Sequence, residues 1–208
     1  GSYDSSWEVI SNLGNKYKEI KAINLLRNYG QHNANLCGFN NVKGDYIVTM
    51  DDDLQNPPGE IMKLINSLTE DRDLVIGRFK EKKHSLFRRV GSIVIGIINR
   101  KIFHGDKDLV LTNFRLIRRD VIERVCQYKS SVPYIPGLVL KFSCNRCNVY
   151  VDHQPRYAGK INYNLRRIAK LVSTILFNYS SLPLRLMAGF GFIVAVVSFL
   201  LSFYYFLS

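Results

Sequence analysis

Three consecutive carboxylates, Asp51-Asp52-Asp53, follow the apolar run Tyr46-Ile47-Val48-Thr49-Met50 and precede Leu54-Gln55-Asn56-Pro57-Pro58. A β-favouring run of this kind reads as a buried strand. Pro57 and Pro58 suit a turn and the first positions of a helix. The acids therefore belong at the carboxyl end of a strand, where open α/β sheets hold their ligands. Side chains alternate along an extended segment, which sends Asp51, Asp53 and Gln55 to one side and Asp52 to the other. Oxygen donors so grouped suit a hard divalent cation that also holds phosphates. Three adjacent acids also occur in solvated loops. The strand before them and the basic residues after them favour a site.

Strands and helices must carry this cluster, and the patterning supplies them. Residues 7–13 read as a short helix, 20–25 as a strand and 31–40 as a helix. Residues 60–68 carry apolar side chains at helical spacing, and 73–78 read as a strand ending in Arg78. Residues 86–103 read as a helix on which Arg88 and Ser92 share a face. A strand at 112–117, a helix at 118–125, an apolar segment at 138–142 and a last strand at 148–153 follow. This alternation predicts an α/β fold built on a mostly parallel sheet flanked by helices. No strand precedes residues 7–13, so the sequence reads as starting inside a ligand-binding loop.

The chain has 208 residues, with 29 Lys and Arg against 17 Asp and Glu, a formal charge of +12. That length allows one domain and an appendage. The charge points to phosphate-bearing partners: nucleic acid, anionic lipid or a nucleotide-linked substrate. Residues 78–119 concentrate it, with 12 basic side chains against three acidic ones. Cys144 and Cys147 have metal-like or redox spacing, but only His153 lies close enough in sequence to add a ligand. The four cysteines read as reduced thiols.

Residues 187–207 contain no charged side chain over 21 positions. As a helix that is about 31 Å, close to the hydrocarbon thickness of a bilayer. Lys and Arg crowd the residues before it, which places the preceding domain on the cytoplasmic side. Residues 163–179 set Leu165, Ile168, Val172, Ile175, Leu176 and Tyr179 against Arg166, Arg167 and Lys170, an amphipathic helix expected in the membrane interface. Pro183 is expected to end it. The chain divides into a domain at 1–160, an interfacial region at 161–183 and a transmembrane helix at 184–208.

The segment from Tyr46 to Pro58 resembles the metal-binding segment of family 2 glycosyltransferases that use a polyprenyl-phosphate acceptor, the dolichol-phosphate-mannose-synthase-like group. Asn28-Tyr29-Gly30-Gln31-His32-Asn33-Ala34 resembles the segment ahead of that site. Asn113-Phe114-Arg115-Leu116 and Arg156-Tyr157-Ala158-Gly159-Lys160-Ile161-Asn162-Tyr163 resemble two later signatures. The resemblance implies a GT-A-like domain anchored to the cytoplasmic membrane and facing the cytoplasm. It implies Mg²⁺ or Mn²⁺ held by Asp51, Asp53 and Gln55 against a nucleotide-sugar diphosphate, with Asp52 and Arg78 also in the donor pocket. Arg88 and Ser92 match positions that bind the acceptor phosphate, and Arg115 falls with the substrate-binding residues. Arg156 and Lys160 match a loop that closes over the phosphates, with Asp53 and Arg156 as the catalytic candidates. Some members carry an acidic residue where Asn113 stands here. Members packed in the membrane are often homo-oligomers. The competing reading is a membrane-anchored basic module that binds nucleic acid or anionic lipid without catalysis. An acidic site would repel nucleic acid, and no strand platform interleaves aromatic with basic residues.

Overall fold

A computed structural model describes residues 1–2, 4–79, 86–155 and 165–207, with side chains described outside 86–94, 165 and 167. The elements are α1 (Ser6–Lys16), α2 (Gln31–Phe39), β1 (Tyr46–Thr49), α3 (Ile61–Asn66), β2 (Leu74–Phe79), α4 (Leu86–Phe103), β3 (Arg115–Arg118), α5 (Arg119–Gln127), α6 (Ile135–Phe142), β4 (Arg146–Val151), α7 (Leu165–Tyr179) and α8 (Leu182–Leu207). A 3₁₀ turn at Pro58–Glu60 leads into α3, and Pro58 in its first turn needs no N–H partner.

The four strands form one sheet in the order β1-β3-β2-β4. Alternation of strand and helix predicts a mostly parallel sheet, yet only β2 and β4 pair in parallel, and β3 runs antiparallel to both β1 and β2. The reason lies in the connection after α4. Val110 and Asn148 exchange hydrogen bonds at 2.8 and 2.9 Å. Thr112 Oγ1 then donates to the Gly77 carbonyl at 2.8 Å. The chain thus reaches β3 from the carboxyl end of β2 and must run back against it. Gly77 permits this approach, because a Cβ there would lie 2.8 Å from Phe114 Cδ1 and 2.9 Å from Val151 Cγ2. Residues 20–25, expected as a strand, make no ladder.

Period-two alternation sorts the side chains. Ile47, Leu74, Ile76 and Ile117 face a large core shared with α2, α4, α5, α6 and α7. Val75, Phe114, Leu116 and Val151 face a smaller one closed by Leu64 of α3. In the larger core Gly137 of α6 sits against the Phe103 ring, with room for no Cβ.

Part of the apolar face of α7 packs on the domain: Ile175 is fully buried, and Leu171, Val172 and Tyr179 pack against the same core. Helix α8 has 26 residues, no buried side chain, and length and apolarity enough to cross a membrane. The break between α7 and α8 falls at Ser180–Ser181. Pro183, expected to end the preceding helix, lies instead in the first turn of α8, where proline is tolerated.

Candidate active site

The carboxyl ends of β1, β2 and β4 and the amino end of β3 meet at one edge of the sheet, as the pairing registers require. Asp51 lies two residues beyond β1. It is half-buried, as are Asp53 and Gln55, while Asp52 is exposed. The sorting expected of an extended segment is thus present in burial, but the backbone is bent rather than extended. Leu54 has φ 60°, the left-handed region that a bulky residue rarely adopts, and its side chain is 70% exposed. Asp53 Oδ1 accepts the Gln55 backbone N–H at 3.2 Å across this bend.

Asp51 is held by side-chain amides. Gln31 Nε2, in the first turn of α2, donates to Oδ1 at 2.9 Å. Asn113 Nδ2, just before β3, donates to Oδ1 at 3.2 Å and to Oδ2 at 3.4 Å. Gly30, with φ 82°, makes the left-handed turn that starts α2 at Gln31. Gln55 is anchored elsewhere: its Nε2 lies 3.1 Å from His153 Nε2 and donates to the Gln154 carbonyl at 3.3 Å. The Gln154 N–H donates to the Gln55 carbonyl at 2.9 Å. Glu60 accepts the Asp152 N–H at 2.8 Å and pairs with Lys63 at 2.7 Å. The loop carrying the acids is therefore sewn to the chain leaving β4.

Arg115, grouped with the substrate-binding residues by its motif, is buried, at 1% exposed. Alternation along β3 sends it to the same face as Ile117, beneath the site and among α2, α4 and α6. Its Nε donates to Thr49 Oγ1 at 3.3 Å, and Thr49 Oγ1 donates to the Asn113 carbonyl at 2.6 Å. Burial lowers its pKa to about 10, against the opposing fields of Tyr134 and Asp51. His32 lies nearby, its ring edge-on to Tyr134 at 5.5 Å. Burial first and the Arg115 charge second hold His32 below the ordinary histidine range. Among the described residues, buried Arg115 Nη2, His32 Nδ1 and Asn99 Oδ1 have no hydrogen-bond partner.

Arg78 lies at the end of β2, half-buried, with its guanidinium 5.5 Å from the Tyr150 ring centre. Arg88 and Ser92 lie on α4, four residues apart, but their side chains fall outside those described. Arg156 and Lys160 lie outside the described residues. The structure thus joins Asp51 to Gln31 and Asn113, joins Gln55 to His153, and separates Arg115 from the surface. Gln31 and Asn113 were missed as functional groups. Both stand inside motifs that carry the family resemblance, which was the one signal pointing to them.

The candidate donor set Asp51, Asp53 and Gln55 can offer oxygen throughout, since both side-chain contacts of Gln55 use its nitrogen. Among the described residues no three His, Cys, Asp or Glu side chains converge. A hard cation with water and phosphate in its remaining positions fits two carboxylates and an amide oxygen.

The model of glycosyl transferase family 2 matches residues 1–126, more than half of the chain. The chain belongs to this family. It is 35% identical over 206 residues to an undecaprenyl-phosphate 4-deoxy-4-formamido-L-arabinose transferase of Photorhabdus laumondii, and 34% identical to one of Proteus mirabilis. Each match covers 97% of this chain and 62% of the relative, so the chain spans less than two thirds of these proteins. Among solved structures, glucosyl-3-phosphoglycerate synthase of Mycobacterium tuberculosis, in complex with Mn²⁺ and UDP-glucose, superposes with a TM-score of 0.52 at 15% identity. That match covers 86% of this chain and 65% of the synthase. The fold is GT-A-like: helices flanking a sheet, followed here by an apolar helix able to span a membrane.

Proposed function

We propose that this family 2 glycosyltransferase moves a sugar from a nucleotide diphosphate, UDP- or GDP-linked, to a polyprenyl phosphate such as undecaprenyl phosphate at the cytoplasmic face of the membrane. The observation that carries the reading is the half-buried Asp51, held by two amides at a sheet end, in a chain that also carries the membrane-length helix α8. The named relatives act on undecaprenyl phosphate, and the mycobacterial synthase binds Mn²⁺ and a UDP-sugar.

Asp51, Asp53 and Gln55 would hold Mg²⁺ or Mn²⁺. Bound there, the ion supplies Lewis-acid neutralisation of the charge that develops on the departing nucleotide diphosphate. The protein's own residues have the remaining task of bringing two anions together. Arg78 brings a cation to the same sheet end. Arg88 and Ser92 on α4 and Arg156 and Lys160 beyond β4 are assigned to the acceptor and donor phosphates from their motif positions. A lipid phosphate is already an anionic nucleophile near neutral pH and needs little help from a base. Attack from the face opposite the leaving group inverts the anomeric centre.

The test offers radiolabelled nucleotide sugars and polyprenyl phosphate to the full-length protein in detergent, with and without Mn²⁺. Labelled lipid that depends on both the acceptor and the metal is expected. No labelled lipid from any donor, or undiminished transfer by both Asp51→Ala and Asp53→Ala, overturns the reading.

A further inference from the structure

We infer that Gln31 and Asn113 are positioning residues that set the rotation of the Asp51 carboxylate and present its Oδ2 to a divalent cation. The inference rests on the metal-dependent reading above and deepens it. The two amides come from different elements, α2 and the entry to β3, and converge on one carboxylate. Their bonds are unequal. Among the described residues Oδ1 accepts at 2.9 and 3.2 Å from two donors, whereas Oδ2 has a single donor at 3.4 Å. A carboxylate so pinned has one oxygen occupied and one largely available.

The donors are neutral, and that matters. A lysine or arginine at either position would orient Asp51 equally well but would pair with its charge and compete with a cation. Amides orient the group and leave its formal charge in place. The support extends one layer further. Thr49 Oγ1 fixes the Asn113 carbonyl at 2.6 Å, and the buried Arg115 fixes Thr49. Asn113 is thereby held by the sheet itself. Groups that hydrogen-bond a metal-binding carboxylate characteristically change metal affinity by about 10- to 100-fold when removed.

The experiment titrates Mn²⁺ into the purified full-length protein and reads the free-ion signal by electron paramagnetic resonance, without turnover. Gln31→Met and Asn113→Leu keep approximate size and remove the donors. Each should weaken Mn²⁺ binding about tenfold, and the double variant should approach 100-fold. At saturating Mn²⁺ the KM for the sugar donor should stay near the parent value. Gln31 is exposed, so Gln31→Met leaves the core untouched and its melting temperature should match the parent's. That variant decides the matter even if Asn113→Leu fails to fold. Asp51→Ala is the control. If it abolishes Mn²⁺ binding while Gln31→Met and the double variant bind within about twofold of the parent, the positioning role is overturned and the metal site stands. If Asp51→Ala binds Mn²⁺ like the parent, the metal reading falls and this inference falls with it.

Discussion

Two aspartates stand at opposite ends of the sheet, and they are held in opposite ways. Asp73 precedes β2 and is 7% exposed. Its Oδ2 accepts the backbone N–H groups of Cys144 at 2.8 Å and Asn145 at 3.1 Å, and its Oδ1 pairs with Arg118 at 2.8 Å. Arg118 in turn forks onto Asp120, with both bonds at 2.8 Å. Every donor at Asp73 is backbone or a full positive charge, so its charge is spent on joining β2 to the turn before β4. Among the described residues Asp51 has no backbone donor and no direct ion pair. Its described partners are neutral amides, and Arg115, whose charge it feels, lies buried below the sheet surface. A carboxylate meant to fasten a fold is saturated and neutralised. One meant to take a cation is oriented and left charged.

The widest separation should come from removing each acid in turn. Asp51→Ala in the full-length protein should lower transfer by at least about 10³-fold, roughly 4 kcal/mol of barrier, with a near-parental denaturant midpoint. Asp73→Ala should do the reverse. It strands two backbone N–H groups and one side of an arginine, and should lower stability by about 3 kcal/mol in urea unfolding. Mn²⁺ affinity of the folded fraction should be unchanged. Equal loss of metal binding in both variants would erase the distinction. A smaller effect is expected beneath Asp51. Arg115→Met retains volume, whereas Arg115→Ala leaves a cavity, so the alanine variant should be the less stable of the two by about 2 kcal/mol.

The sequence made some of this contrast legible and hid the rest for identifiable reasons. The strand that leads to Asp51 and the helix at Leu86–Phe103 follow from local periodicity and stand where it places them. The reversed direction of β3 does not. It depends on Thr112 and Asn148 catching the chain across 35 and 38 residues. The amides on Asp51 are hidden for the same reason, since Gln31 and Asn113 lie 20 and 62 residues away. Arg115 was grouped with the substrate-binding residues through its motif, which carries no information on burial. Only its register opposite Thr49 shows that it points inward. Residues 20–25 have the composition of a strand, but no neighbour in the described sheet pairs with them.

The smallest effect tests whether the ground beneath Asp51 is as charge-sensitive as its geometry requires. His32 is flanked by Arg115 from β3 and by Tyr134 at the start of α6, and burial and the arginine hold its folded pKa below 6.5. The unfolded chain therefore binds a proton on His32 more readily than the folded one does. The neutral imidazole's contribution is fully present above about 6.5, and it is lost as pH falls from there toward the folded value. The melting temperature should drop as pH is lowered below about 6.5, and His32→Gln, which cannot be protonated, should flatten part of that slope. The half-buried Arg118–Asp120 pair gives a contrasting signature. Asp120 is held below the usual carboxylate range by Arg118, so its contribution persists until pH falls below about 4. A pH slope near 6 that survives in His32→Gln would show that protonation elsewhere controls stability, and that the buried arginine leaves its histidine neighbour unaffected.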